Sequence, residues 1–115
     1  MKQDALYVCW LLAGSGKREA NATRRRLTEG QARDLYRLRC WVIVNGEVRA
    51  LLSPVAPLDA VVDNLWHGAI QPLRASWVPD PVACARLRRE IEQLPVALGL
   101  TRRPEQWQYS SAATD

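Results

Sequence analysis

The clearest alternation of apolar and polar positions lies in WVIVNGEVRALLSP, residues 41–54. Trp41 to Val44 is a run of aromatic and β-branched residues, which strands favour. Asn45-Gly46 follows, a dipeptide that tolerates positive φ at both central positions of a tight turn. An apolar segment then returns from Val48 to Leu52. The pattern predicts a two-stranded antiparallel hairpin over Trp41 to Leu52.

Two charged residues interrupt one face of this hairpin. With a two-residue turn Val44 faces Glu47 and Val42 faces Arg49, so both charges share a sheet face with two valines. One interpretation is that this face is solvated, as one face of an antiparallel sheet commonly is. Alternation alone leaves open whether the Glu-Val-Arg triplet has another role.

The segment before the hairpin contains a strand and a helix signal. Leu6 to Ala13 is an apolar run typical of a buried first strand, and the glycines after it predict an exposed basic loop that extends to Arg26. Thr28 and Gln31 have the spacing of a capping box, which predicts a short helix that begins there.

Two helices are predicted after the hairpin. Apolar residues recur at i, i+3, i+4 and i+7 from Leu58 to Leu65, which indicates a helix over Leu58 to Gly68. Asp80-Pro81 is a suitable cap and first turn for a last helix that runs to Leu94 and ends at Pro95. The tail beyond it is rich in turn formers and is expected to be irregular.

The predicted order of elements is strand, helix, hairpin, helix, helix. Antiparallel strands with helices laid on one face make an α+β sandwich of the ferredoxin-like kind. A chain of 115 residues fits one domain with a modest core, so we expect residues 1–115 to form a single domain.

Composition narrows the class of protein. A hydrophobic content of 48% is typical of globular proteins and argues against disorder. No apolar run approaches the ~18 residues that a membrane span requires, and the N-terminus lacks the layout of a signal peptide, so we expect a cytoplasmic protein. Cys9, Cys40 and Cys84 are odd in number and scattered, and are expected to be reduced core thiols rather than disulfides or zinc ligands.

The charge favours a nucleic-acid partner. The net charge is +4, and arginines cluster at Arg24-Arg25-Arg26 and at Arg102-Arg103. Guanidinium groups match the geometry of phosphate, so these clusters are candidates for contacts to nucleic acid. The alternative is that the arginines reflect the base composition of the genome and lie in solvated loops.

Several segments together resemble the REP-associated tyrosine transposases, small bacterial enzymes that act on single-stranded DNA. YRLRCWVIVNGEVRALLSP, residues 36–54, follows the strand-turn-strand segment of that family without a gap. YVCWLLAGS resembles its opening strand, LWHG the end of its next helix, and EIEQLPVALGL with RRPEQWQYSS its C-terminal part. The resemblance covers nearly the whole chain and implies the transposase IS-like variant of the ferredoxin-like fold. It also implies DNA, single-stranded or hairpin, as the partner of a monomer or homodimer.

The departures from the family fall on its chemistry. Active relatives cut DNA through a tyrosine that forms a phosphotyrosyl intermediate, with Mg²⁺ or Mn²⁺ held by a His-hydrophobic-His pair. By the resemblance, Glu47 and Arg49 occupy the two metal-ligand positions and Glu90 occupies the nucleophile position, whereas Tyr7, Tyr36 and Tyr109 match none. We therefore expect a DNA-binding protein that holds no metal or other cofactor and is catalytically inactive.

The remaining candidates have competing interpretations. Arg49 is expected to pair with Glu47 or with Glu90, in place of a metal site. Trp107, in a loop, is a candidate for stacking on bases, although a core position is the more common role of tryptophan. The predicted DNA-binding residues are Arg24, Arg25, Arg26, Arg49, Arg102, Arg103 and Trp107. The alternative for the whole protein is a decayed remnant or a protein-interaction module without DNA activity.

Overall fold

In a computed structural model the chain is described for residues 5–14, 16–65 and 73–113. Strands and helices alternate along it and are followed by two short 3₁₀ turns. The elements are β1 Leu6–Leu11, α1 Lys17–Ala32, β2 Tyr36–Val44, β3 Glu47–Pro54, α2 Leu58–Leu65, β4 Arg74–Trp77, α3 Pro81–Ala97 and the turns Pro104–Gln106 and Ser111–Ala113.

The four strands form one sheet in the order β2-β3-β1-β4, and every neighbouring pair is antiparallel. The chain runs β-α-β-β-α-β before α3, which is the order of elements in ferredoxin-like folds. The predicted fold class, an α+β antiparallel sheet with helices packed on it, is confirmed.

The hairpin forms where the sequence places it. Asn45 and Gly46 have φ angles of 52° and 77°, the left-handed conformations that a two-residue turn requires. Val44 pairs with Glu47 and Val42 with Arg49, as predicted. The second strand of the hairpin also pairs with β1, so the hairpin lies next to the first strand as expected.

Hydrophobic side chains cover both faces of the sheet, so the prediction that helices cover one face is wrong. On one side, Leu52 and its alternate neighbours pack with α1 and α2; we call this the α1/α2 face. On the other side, Cys40, Val42 and Leu51 pack against Ile91 of α3; we call this the α3 face. β2 and β3 have apolar residues at successive positions because both of their faces are partly buried.

The first helix begins earlier than predicted. Lys17–Ala32 is helical, so the predicted basic loop is wrong and Thr28 lies inside the helix rather than at its cap. The buried positions are spaced at three or four residues but are mostly small, which hides the periodicity from a hydrophobicity pattern: Ala20, Thr23, Leu27 and Gly30. Small residues at these positions allow the helix to approach the sheet closely.

The elements after the hairpin agree only in part with prediction. α2 is described as far as Leu65, and the predicted extension to Gly68 lies outside the described residues. Strand β4 was not predicted. Asp80 caps α3 by accepting a hydrogen bond from the Ala83 N–H at 2.8 Å, as predicted, but the helix continues beyond Pro95 to Ala97. Pro95 lies in the last turn, where a missing N–H removes only one intrahelical bond.

The three cysteines are unpaired, as predicted. Cys40 is fully buried, whereas Cys9 and Cys84 are half-buried, so only one of them is a true core thiol. Burial raises the pKa of the Cys40 thiol to about 12. Among the helices described, none is both long and apolar enough to span a membrane.

Candidate nucleic-acid interface

Glu47 and Arg49 lie side by side on the α3 face. The Arg49 Nη2 donates a hydrogen bond to the Glu47 Oε1 at 3.2 Å, and the side chains are 36% and 34% exposed for Glu47 and Arg49 respectively. The Nε of Arg49 is buried and has no hydrogen-bond partner within the described residues. A guanidinium has five N–H donors, so this ion pair leaves donor capacity unused.

The strand register brings further polar side chains to the same face. Cys9 on β1 stands opposite Arg49 on one side and opposite Arg74 on the other. Directly opposed residues in antiparallel strands point to the same face of a sheet. Cys9, Glu47 and Arg74 line a cavity of about 190 Å³ there. Two arginines that are distant in sequence therefore flank one thiol.

Tyr7 is the only one of the three tyrosines that faces this cluster. Its hydroxyl lies close enough to Arg49 and Glu47 to feel both charges; burial raises its pKa, and the Arg49 guanidinium partly offsets that rise. Tyr36 is 1% exposed and donates its hydroxyl hydrogen to the Leu27 carbonyl at 2.7 Å, while Tyr109 is 8% exposed. Neither buried ring is accessible to a DNA strand.

Glu90 lies on the exposed surface of α3. Within the described part of the chain, the ion pair of Arg49 is made with Glu47 and none joins it to Glu90, which decides between the two predicted partners. No group of three or more His, Cys, Asp or Glu side chains that could hold a metal is found among residues 5–14, 16–65 and 73–113.

The predicted cluster Arg24-Arg25-Arg26 lies on the helix α1, where successive side chains diverge by about 100°. Arg24 stacks over the ring of Tyr109, with 5.7 Å between the guanidinium carbon and the ring centroid, and hydrogen-bonds Asn21 at 3.2 Å. Arg25 is exposed, and Arg26 is half-buried. The helix therefore brings Arg24 alone of the three to the C-terminal tail.

The tail holds its two arginines in an ordered turn. The Oε1 of Gln106 accepts hydrogen bonds from the backbone N–H of Arg102 at 3.0 Å and of Arg103 at 3.1 Å. Both arginine side chains are exposed. The turn therefore presents two guanidinium groups to solvent from a fixed backbone.

Trp107 anchors the tail to the sheet. Its Nε1–H donates to the Ile43 carbonyl at 2.9 Å, and its ring meets Tyr109 edge-on at 6.4 Å. The ring packs against the hydrophobic clusters on both sides of the sheet. Trp107 is half-buried, so part of its ring belongs to the core and part is exposed to solvent, where a base could stack on it.

A groove runs between the hairpin turn, the start of α1 and the tail; we call it the tail groove. Its volume is about 540 Å³. It is lined by Leu12, Gly14, Gly16, Lys17, Ala20, Ile43, Asn45, Gly46, Thr101, Gln106, Trp107, Gln108 and Tyr109. Arg102 and Arg103 lie in the chain between two of its lining residues, and Arg24 stacks over a third, Tyr109, whereas Arg49 lies on the α3 face.

Sequence reasoning missed two basic residues in these places. Lys17 fell in a predicted loop, and its position at the groove follows only from the start of α1. Arg74 belongs to a strand of four residues, too short for a reliable alternation. The short segment RASW was the only sign of a strand at Arg74. The face on which Arg74 lies follows from the pairing of this strand with β1, which the sequence does not show.

One comparison with known proteins supports the fold. No protein-family profile matches the sequence, and no curated protein matches it. The chain is similar in structure to a REP-associated tyrosine transposase bound to a REP hairpin, with a TM-score of 0.77 and 11% sequence identity. The likeness covers 100% of this chain and 80% of the transposase chain. At this identity the two proteins share a fold, and a function for this chain requires its own argument.

Proposed function

We propose that this protein binds single-stranded or hairpin DNA at the tail groove. The observation that carries the proposal is a groove that Lys17 lines and whose Tyr109 ring is covered by Arg24. The exposed Arg102 and Arg103 lie in the chain between Thr101 and Gln106, two other residues of its lining. Guanidinium groups pair with phosphate oxygens, and the half-buried ring of Trp107 in the groove offers a stacking surface to an unpaired base. These are the two kinds of contact that single-stranded nucleic acids use.

Two further facts support DNA as the partner. The structurally similar transposase is bound to a REP hairpin, and the present chain has a net charge of +4 with arginine as the main basic residue. A positive surface attracts the phosphate backbone irrespective of base sequence and raises the association rate.

A salt titration tests this proposal. We expect the logarithm of the binding constant for a labelled single-stranded or hairpin oligonucleotide to fall with log salt by roughly 0.7 per phosphate contact. The double variant Arg102→Gln/Arg103→Gln should bind more weakly and lose roughly 1.4 from that slope. Arg33→Gln/Arg37→Gln removes the same charge from exposed sites at the far end of the hairpin and is the matched control. Equal slopes in both variants would place the DNA elsewhere.

We further propose that the bound strand is not cut. Cleavage by the route of the resembling enzymes needs a metal beside the scissile phosphate and an oxygen nucleophile that forms a stable ester. Here Arg49 offers a cation where a ligand is required, and Glu90 is a carboxylate that phosphate repels. Tyr7 is the one tyrosine on this face, and burial raises its pKa, which keeps the hydroxyl protonated and weakens it as a nucleophile.

Incubation of the protein with labelled hairpin DNA and Mn²⁺ tests the absence of cleavage. We expect no covalent protein-DNA adduct after denaturation. An adduct that disappears in Tyr7→Phe would identify Tyr7 as the nucleophile and overturn the proposal. Restored cleavage should need Glu47→His, Arg49→His and Glu90→Tyr together, because catalytic groups that act as a unit show little recovery singly.

A protein-binding role is the alternative, and exposed apolar side chains favour it. Val82 on α3 is 71% exposed, and Leu98 and Leu100, which follow the end of α3, are 50% and 44% exposed. A chain that binds no oligonucleotide at low salt, and that associates with itself or another protein through these residues, would support this alternative.

A further inference from the structure

We propose that Arg49 and Arg74 form a second phosphate-binding site on the α3 face, one that needs no metal ion and in which Glu47 competes with the phosphate for Arg49. The ligand class is a phosphodiester of single-stranded DNA. The inference rests on the proposed function, because the phosphate belongs to bound DNA, but it concerns a surface separate from the tail groove.

The strand register places the two arginines on either side of Cys9. β3 contributes Arg49, β1 contributes Cys9, and β4 contributes Arg74, all directly opposed. Neighbouring strands are about 4.8 Å apart, so the two arginine backbones are about 10 Å apart. Guanidinium groups on long side chains from both positions can close on one tetrahedral phosphate between them.

A cavity beside these residues offers room for the ligand. A cavity of about 190 Å³ is lined by Cys9, Trp10, Leu11, Glu47 and Arg74, whereas one water molecule takes about 30 Å³ of liquid. Arg49 does not line it but is paired with Glu47 in its wall and lies opposite Cys9. Arg74 is exposed on the edge strand, so a strand of DNA reaches the cavity from solvent.

Arg49 retains donors for such a ligand. Its ion pair with Glu47 uses the Nη2, and its Nε is buried without a partner among the described residues. An unpartnered buried donor is unfavourable, and a phosphate oxygen accepts bonds from two neighbouring N–H groups of a guanidinium. In the proposed complex the Arg49 side chain turns toward the cavity, so that its Nε–H and a terminal N–H both donate to the phosphate.

Glu47 opposes this binding. Its carboxylate occupies one donor of Arg49 and lines the cavity that the phosphate would enter. The pair is about one-third exposed, and solvent-screened ion pairs are weak, so a phosphate can displace the carboxylate from Arg49. Removal of the Glu47 charge should therefore tighten DNA binding, the opposite of the effect expected for a metal ligand.

The affinity of the protein for a labelled single-stranded oligonucleotide, measured by fluorescence anisotropy in EDTA, tests the site. We expect Arg49→Gln and Arg74→Gln each to weaken binding roughly tenfold, as the loss of a charge-assisted hydrogen bond would. Arg33→Gln, an exposed arginine remote from the α3 face, is the matched control. Glu47→Gln should increase the affinity for the oligonucleotide, and the affinity of this variant should be about threefold higher than that of Asp63→Asn. Asp63→Asn is the control, because it also removes one negative charge but from α2 on the opposite face.

The outcomes separate the two proposals. Failure of the unaltered protein to bind DNA overturns the proposed function. If Arg49→Gln and Arg74→Gln weaken DNA binding no more than the control Arg33→Gln does, the second site is overturned. The proposal of DNA binding at the tail groove is then unaffected. Binding that disappears in EDTA and returns with Mg²⁺ also overturns it, because the site would then hold a metal. Circular dichroism checks that each variant is folded, and exposed Arg74 provides the decisive variant if Arg49→Gln unfolds.

Discussion

The two faces of the sheet are built from the same strands but differ in kind. On the α1/α2 face, Val48, Ala50 and Leu52 of β3 are all 0% exposed under two helices. On the α3 face, Leu51 is equally buried, but Glu47 and Arg49 lie half-exposed beyond the area that α3 covers. One strand thus contributes to a closed core on one side and to an open polar surface on the other.

Because the two faces differ in burial, we expect substitutions on one to affect mainly stability and substitutions on the other to affect mainly binding. Burial of large apolar side chains is the main stabilising contribution to a small domain, so substitutions on the α1/α2 face should change the free energy of unfolding. The open part of the α3 face contains half-exposed charges, which contribute little to stability, so substitutions there should change affinity for an anionic partner.

Thiol alkylation provides the largest expected contrast, between the covered and the open parts of the α3 face. Cys40 is 0% exposed, and burial raises its pKa from near 9 to about 12, whereas Cys9 is half-exposed. Iodoacetamide at pH 8 should modify the half-exposed Cys9 much faster than Cys40, because burial both shields the Cys40 thiol and, by raising its pKa to about 12, leaves little of it as thiolate. Peptide mapping by mass spectrometry measures both rates. Similar rates would show that α3 leaves the sheet readily.

Leucine truncation should distinguish the two faces by stability. Leu52→Ala removes a fully buried side chain and should lower the free energy of unfolding by about 3 kcal/mol. Leu11→Ala, at the end of β1 on the open part of the α3 face, removes a side chain that is 36% exposed and should cost less than about 1 kcal/mol. Urea denaturation compares them, and equal losses would contradict the asymmetry of the two faces.

Gly30 tests how closely α1 approaches the sheet. A Cβ at this position would overlap the hydroxyl and ring of Tyr36, so Gly30→Ala should destabilise the protein by about 2 kcal/mol. Helix propensity alone predicts a gain of about 1 kcal/mol, so the sign of the change is diagnostic.

Two further variants are controls for Gly30→Ala in the same thermal or urea unfolding measurements. Thr28→Ala, at an exposed position of the same helix, should change stability by less than about 0.5 kcal/mol. Combining Gly30→Ala with Tyr36→Phe removes the nearest overlapping atom and should recover part of the loss. A stable Gly30→Ala protein would mean that the helix lies further from Tyr36.

Trp107→Phe tests the anchor of the tail, which contacts both faces. The change keeps an aromatic ring but removes the Nε1–H that donates to the Ile43 carbonyl, and it should cost about 1 kcal/mol. Hydrogen exchange in residues 101–113 should accelerate at the same time. An unchanged exchange rate would show that other contacts hold the tail.

A small stability effect is expected at the open polar surface. Glu47→Gln breaks an ion pair that is about one-third exposed, and should change the free energy of unfolding by less than about 1 kcal/mol. The same variant is expected to increase DNA affinity. Measuring both unfolding and DNA binding of this variant therefore shows whether the ion pair acts on stability or on affinity. A loss of several kcal/mol would mean that the pair is a structural element.

Local patterns were sufficient for several parts of this fold. The hairpin and its register followed from β-branched runs around Asn45-Gly46, and the cap of α3 followed from Asp80, because turn and cap conformations depend on residues a few positions apart. The same register predicted that Glu47 and Arg49 share a face, which made Glu47 one of the two predicted partners of Arg49, and the structure shows that pair. The resemblance of Tyr36 to Pro54 and of the tail to a transposase family anticipated the shared fold.

Other features depended on contacts between distant segments. α1 was missed because its buried positions are small residues that give a weak hydrophobic signal, although Gly30 fits against Tyr36 in the folded chain. The placement of helices on both faces depends on how α3 crosses the sheet after β4.

By itself, therefore, the sequence determined the hairpin, the shared face of Glu47 and Arg49, and the supply of arginines. Tertiary structure decided where the arginines lie. The helix brings Arg24 to Tyr109 in the tail, and the pairing of β3 and β4 with β1 places Arg49 and Arg74 on either side of Cys9. The physical reason is that periodicity is a property of neighbouring residues, whereas a binding surface is formed by side chains that only strand pairing and helix packing bring together.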